Sequence, residues 1–143
     1  MVAIIVGTHG NFAIELVKTC EMICGFINNI KAVSLVPGES TDDLVDKYED
    51  ALKNLDKKDG VVFLNDLFGG SPYNAACRIA IQNETYGVVT GVNLAMLIEM
   101  VGCQLIGEKI EIQHLMQRAI EAGNSGIQTF HKTAIKENKE DDL

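Results

Sequence analysis

Clustered positive charge is missing from this chain. Its 143 residues carry 12 Lys and Arg against 20 Asp and Glu, a formal net charge of -8. A nucleic-acid backbone is gripped by grouped Lys and Arg, so general nucleic-acid binding is excluded, whereas a basic protein partner would be drawn to such a surface. Long apolar runs are missing too. Val2 to Val6 falls far short of the roughly 20 apolar residues that cross a bilayer, and no cationic segment or cleavage site precedes it. A cytoplasmic protein without direct membrane insertion is expected. The cysteines Cys20, Cys24, Cys77 and Cys103 include no CxxC pair and sit in apolar helical patterns, as reduced, buried thiols do. Cys20 and Cys24 share a helix face, but no histidine or second cysteine pair completes a tetrahedral set, so no metal is expected. Internal repeats and low-complexity linkers are also lacking.

What is present has the size and composition of one globular domain, 47% hydrophobic and 22% charged, long enough to bury a core without disulfides or metals. Val2 to Val6 is a short, β-branched apolar run that stops at Gly7-Thr8-His9-Gly10. Such a run suits the central strand of a parallel sheet, buried on both faces. It delivers His9 to the strand's C-terminal edge, where open α/β sheets place their ligands.

Asn11 to about Cys24 has helical apolar spacing and ends at Gly25. Ile30 to Val36 reads as a second strand, closed by the turn Pro37-Gly38. Ser40 is expected to cap a helix with Leu44, Val45, Tyr48, Leu52 and Leu55 on its inner face, and Glu39, Asp42 and Asp43 read as its solvated start. Val61 to Leu64 is a third strand, running into Asn65-Asp66-Leu67-Phe68-Gly69-Gly70-Ser71-Pro72. There Ser71 reads as the N-cap of a helix extending to about Gln82, with Pro72 in its first position. Tyr86 to Thr90 is a fourth strand, followed by the loop Gly91-Val92-Asn93 and a short helix with Leu94, Leu97, Ile98 and Val101. Lys109 to Ala122 reads as another helix, broken by Gly123 to Gly126. Ile127 to Phe130 is either an added edge strand or a subunit contact. The domain is expected to span 1–131, and the charged tail 132–143 to be solvated and mobile.

Strands alternating with helices specify a doubly wound, three-layer α/β fold on a parallel sheet. If the first and third strands are neighbours, His9, Pro37-Gly38, Asp66 with Gly69 to Ser71, and Gly91 to Asn93 converge on one edge. A carboxylate at one nitrogen of His9 fixes the tautomer and leaves the other as nucleophile or base. The helix start near Ser71 offers unpaired N–H groups and a hydroxyl, a natural phosphate site. Together they suggest phosphoryl transfer. His114 and His131 read as structural or exposed.

The motifs Ile-Val-Gly-Thr-His-Gly at 5–10, Val-Pro-Gly-Glu at 36–39, Phe-Leu-x-Asp-x-x-Gly-Gly-Ser-Pro-x-Asn-Ala-Ala at 63–76 and Gly-Val-Asn at 91–93 stand in register. Together they resemble the enzyme IIA component of the mannose-family phosphotransferase system (mannose, fructose, sorbose). The resemblance covers about Met1 to Val101 and extends more weakly to Phe130. It implies a cytoplasmic phosphotransferase without cofactor. His9 would take a phosphoryl group on Nε2 from the phosphocarrier HPr and pass it to an enzyme IIB component, on a separate polypeptide, during sugar uptake by membrane components IIC and IID. It implies further that Asp66 orients the ring through Nδ1 and that Ser71 donates to the phosphoryl oxygens; Gly70, Gly69 and Thr8 are expected to line the same phosphoryl site, with Pro37, Gly38 and Asn93 in supporting loops. A homodimer exchanging a C-terminal antiparallel strand is also implied. Phe68 stands where some members have Trp, and Asn11 and Ala95 depart as well; Asn11 and Phe68 bear on the partner surface. The alternatives are a regulatory or binding module of the same fold, whose phosphorylation state controls a partner, and the phosphocarrier subunit of a dihydroxyacetone kinase. A hydrolase using His9 as general base fits less well, because no second nucleophile is visible.

Overall fold

A computed structural model describes residues 1–134. In chain order the elements are β1 (Ala3–His9), α1 (Phe12–Cys24), β2 (Ile30–Leu35), α2 (Thr41–Lys53), β3 (Val61–Asn65), α3 (Ser71–Ala80), β4 (Tyr86–Val89), α4 (Leu94–Leu105) and α5 (Ile112–Ser125). The sheet has the order β2-β1-β3-β4, and every pairing is parallel. The first and third strands are therefore neighbours, and the strand order reverses between them, the switch point at which such sheets bind ligands.

Alternation along β1 sorts the two cores. Ile4 and Val6 join Ala13, Leu16 and Cys20 of α1, Leu97 and Met100 of α4, and Leu115 and Ala119 of α5 in one layer. Ala3 and Ile5 join Leu44, Tyr48 and Leu52 of α2 and Ala75, Ala76 and Ile79 of α3 in the other. The three-layer α/β arrangement expected from the sequence is the one found. By the same alternation His9 falls on the α2/α3 side and Thr8 on the α1 side.

Several local expectations need correction. Gly123 does not break the last helix: α5 begins only at Ile112 and continues to Ser125, with Gly126 at its C-cap. A Cβ on Gly123 would come within 3.0 Å of Met96 Cε, so this glycine allows α5 to lie close on α4. Likewise α4 runs through Gly102 to Leu105. Cys20 and Cys103 are buried, but Cys24 is exposed and Cys77 half-buried. Cys20 and Cys24 do share a face, with sulfurs 3.9 Å apart. Ile127 to Phe130 joins no strand of this sheet among the described residues, and Ile127 and Phe130 are exposed. Most of the expected charged tail, from position 135 onward, lies outside the described residues. No helix among the described residues is long and apolar enough to cross a membrane.

Candidate functional site

The site is built where β1 and β3 end side by side. Gly7 is in register with Asn65, so the next residue of β3's chain, Asp66, comes level with the tip that carries His9. One carboxylate oxygen of Asp66, Oδ2, receives both the His9 backbone N–H at 3.0 Å and the ring Nδ1 at 2.8 Å. The other, Oδ1, accepts the Leu67 N–H at 3.0 Å. The ring is half exposed, 46%, while the Asp66 side chain is 15% exposed. Partial burial pushes the Asp66 carboxyl up, but the His9 main chain, ring and charge, together with the Leu67 N–H, outweigh it and hold the group below its ordinary range. An ionised acceptor at Nδ1 keeps the proton on that nitrogen and leaves Nε2 with a free lone pair.

The other side of the ring faces the start of α3. A Cβ placed on Gly70 would lie 3.0 Å from His9 Cε1 and 3.7 Å from Nε2, so the absence of a side chain there lets the imidazole approach the helix terminus. Gly70, not Ser71, is the N-cap. The expectation of a Ser71 cap is thus off by one residue, because Gly69, at φ +81°, turns the chain early and Gly70 takes up the extended cap conformation. Asn74 makes the first intrahelical bond, its N–H reaching Gly70 O at 2.9 Å. The N–H groups of Ser71 and Tyr73 consequently precede the ladder, and Pro72 has none to satisfy. Ser71 is relieved of capping duty. Asn74 Nδ2 also reaches back to Gly69 O at 3.2 Å, fixing the glycine loop.

The remaining sequence-predicted residues divide. Thr8 is fully buried, and its hydroxyl accepts the Ala13 N–H at 2.7 Å. It serves the start of α1, where Asn11 makes no side-chain cap, and the structure does not bring it to the Nε2 side. Pro37 and Gly38 form an exposed turn closed by Glu39, whose carboxylate accepts from Val36 N–H at 2.8 Å and Lys47 Nζ at 2.7 Å. Glu39 is therefore a clamp on this loop and not merely a solvated helix start. The Gly10 N–H meets Leu35 O at 2.8 Å and ties the His9 loop to the end of β2. Asn93 caps α4 through Met96 N–H at 2.9 Å and holds Gly123 O at 3.0 Å. It supports the site indirectly, since its neighbours Gly91 and Val92 donate to the carbonyls of Asp66 and Asn65. His114 and His131 are exposed, and neither is hydrogen-bonded to His9 or Asp66. Among the described residues, no group of three or more His, Cys, Asp or Glu is arranged to hold a metal.

Two contributors were not singled out from the sequence. Asn65 and Tyr48 are fully buried and hydrogen-bonded to each other. The signal for Asn65 was available, as a polar residue closing an apolar strand just before Asp66; Tyr48 merged with the apolar face of α2. Phe12, Leu67 and Phe68 are exposed on the loops that carry His9 and Asp66, and Phe68 stacks at a tilt on Tyr73, with centroids 5.1 Å apart.

Residues 3–120 match the family model described as the PTS system fructose IIA component. The chain is 38% identical over 135 residues to the PTS system mannose-specific EIIAB component of Escherichia coli K12, covering 94% of this chain and 41% of that protein. It thus spans about two-fifths of the length of that relative. With the PTS system fructose-specific EIIA component of Bacillus subtilis it shares 34% identity, covering the whole of both chains. Among solved structures, phosphotransferase system component EIIA from Streptococcus agalactiae superposes with a TM-score of 0.80 at 26% identity, covering 91% of this chain and 98% of that one.

Proposed function

The chain belongs to the mannose-family enzyme IIA components of the sugar phosphotransferase system, and from that premise we propose that it is a cytoplasmic phosphohistidine carrier. His9 accepts a phosphoryl group from phospho-HPr and passes it to an enzyme IIB component, for sugar uptake through membrane components IIC and IID. The observation that carries this reading is the two-sided setting of His9, with Asp66 2.8 Å from Nδ1 and the Gly70–Ser71 helix start beside Nε2.

The chemistry balances simply. The Nε2 lone pair attacks the donor's phosphorus in line; the new N–P bond forms as the donor's N–P bond breaks, and the donor imidazole leaves with that electron pair. The His9 ring gains positive charge as it is phosphorylated, and the Asp66 carboxylate stabilises that charge while retaining the proton on Nδ1. The phosphoryl oxygens would be met by the Ser71 hydroxyl and by the N–H groups of Ser71 and Tyr73 at the positive end of α3. Gly69 and Gly70 allow the backbone to come close. The exposed Phe12, Leu67 and Phe68 supply an apolar rim suited to a protein donor. Homodimer formation is supported by the outer edge of β4, which no described strand covers, and by the exposed Ile127 and Phe130; antiparallel pairing there by a partner's C-terminal segment would cover both.

The test is incubation with labelled phospho-HPr. Acid-labile label on His9, transferable to IIB, is expected, with none on His9→Ala. Label that persists unchanged in His9→Ala overturns the assignment.

A further inference from the structure

We propose that Tyr48 and Asn65 are positioning residues for phosphoryl transfer, joined in one buried hydrogen-bond chain that sets the spacing between His9, Asp66 and the start of α3. This rests on the reading of His9 as the phosphoryl acceptor.

Asn65 Nδ2 donates to Gly7 O at 2.8 Å and to Tyr48 Oη at 3.1 Å. Tyr48 Oη in turn donates to Pro72 O at 3.0 Å. Each link lies beside a residue of the site: Gly7 is two residues before His9, Asn65 immediately precedes Asp66, and Pro72 immediately follows Ser71. The chain therefore connects the three backbones whose relative placement decides whether Nε2 and the helix terminus meet one phosphoryl group. It has only one consistent direction. Gly7 O requires a donor, which fixes the Asn65 amide nitrogen toward it. The second amide hydrogen then points to the phenol, whose own proton is left for Pro72 O. Burial pushes the Tyr48 phenol well above its ordinary pKa, so it stays a donor at neutral pH.

These side chains are poor choices for a core serving stability alone. The surrounding layer is Ile5, Val61, Phe63, Leu44 and Ala75, and burying polar groups there gains little even when they are paired. Asn65 Oδ1 is buried with no hydrogen-bond partner among the described residues, a net cost. The backbone makes room for the arrangement as well, since a Cβ on Gly7 would fall 2.0 Å from Tyr48 Oη. A directional hydrogen-bond chain in a dry layer specifies one geometry where apolar packing tolerates several, and this one ends on the turns that hold the site.

The experiment is quench-flow phosphorylation of the full chain by phospho-HPr, with thermal melts run in parallel. In Tyr48→Phe, which removes one oxygen, the rate at saturating phospho-HPr is expected to fall about tenfold, while the half-saturating concentration stays within about twofold. Asn65→Ala, which leaves the Tyr48–Pro72 bond in place, should show the same split. The double variant should fall no further than the slower single one, as members of one chain do. If Tyr48→Phe does not fold, the Asn65→Ala measurement decides. Saturating rates within about twofold of wild type, with only the melting temperature lowered, overturn the positioning role; so does a loss confined to half-saturation. Failure of the wild-type protein to take label on His9 is a different result and overturns the carrier reading itself.

Discussion

A single oxygen of Asp66 holds both the main chain and the ring of His9, so the carboxylate fixes where the residue sits and which nitrogen is protonated. Asp66→Asn tests the second duty apart from the first. An amide oxygen can still accept one of these N–H groups, so the fold should persist, but the charge that stabilises a phosphorylated ring is gone. If the amide nitrogen turns toward Nδ1, the ring proton moves to Nε2 and blocks the nucleophile. Phosphorylation by phospho-HPr should slow by about 100-fold or more, with His9 nitrogen shifts in NMR reporting a mixed tautomer. Transfer at the wild-type rate with an unchanged tautomer would show that the pair has no part in the chemistry. Gly70 complements Asp66 from the other side of the ring, since any side chain there must displace the imidazole.

At the scale of elements, the start of α2 offers the cleanest separation of fold from function. Ser40 Oγ accepts the Asp43 N–H at 3.2 Å, and the Asp43 carboxylate accepts the Ser40 N–H at 2.8 Å, a reciprocal capping box. Ser40→Ala should cost about 1 kcal/mol in chemical denaturation and leave the saturating transfer rate unaltered, because Tyr48 lies beyond the first turn and keeps its bonds. A change in rate without a change in stability would contradict that division. This cap was legible as Ser-Thr-Asp-Asp, as were the four strands, whose apolar runs are short and bounded by turn residues. The error at Ser71 has a different origin: either Gly70 or Ser71 could cap α3, and only the positive φ of Gly69 decides between them. The extension of α5 past Gly123 was likewise hidden, because that glycine answers to Met96 on α4, a contact distant in sequence. Thr8 followed the motif into the expected phosphoryl pocket, but strand alternation sends it to the opposite face from His9, where α1 needs its hydroxyl.

For the whole molecule the decisive field is acidic, and its pH dependence has two opposing parts. At a formal charge of -8 the folded chain repels itself, and lowering the pH from neutrality toward 5 relieves that repulsion. Specific carboxylates act the other way. Glu39 is held below its ordinary pKa by its bonds from Lys47 and Val36, Asp43 by the backbone and hydroxyl of Ser40, and Asp66 by His9 and Leu67 against the upward push of its own burial. A carboxyl with a depressed folded pKa contributes stability that is fully present above its unfolded value, about 4, and is lost as pH falls through the folded value. These three lie on loops or first turns at the edge that carries His9, whereas Asp59, held low by the N-terminal ammonium, precedes β3 at the opposite edge. The melting temperature should therefore hold or rise slightly from pH 7 to about 5 and fall steeply below about 4. The acid limb should be shallower in Asp66→Asn, which has no proton to bind there. Amide exchange at pH 3.5 should rise first at residues 36–43 and 65–71, ahead of the strand interiors. A melting temperature that is flat down to pH 3, or exchange that begins at the opposite edge of the sheet, would show that these carboxylates do not hold the site end together.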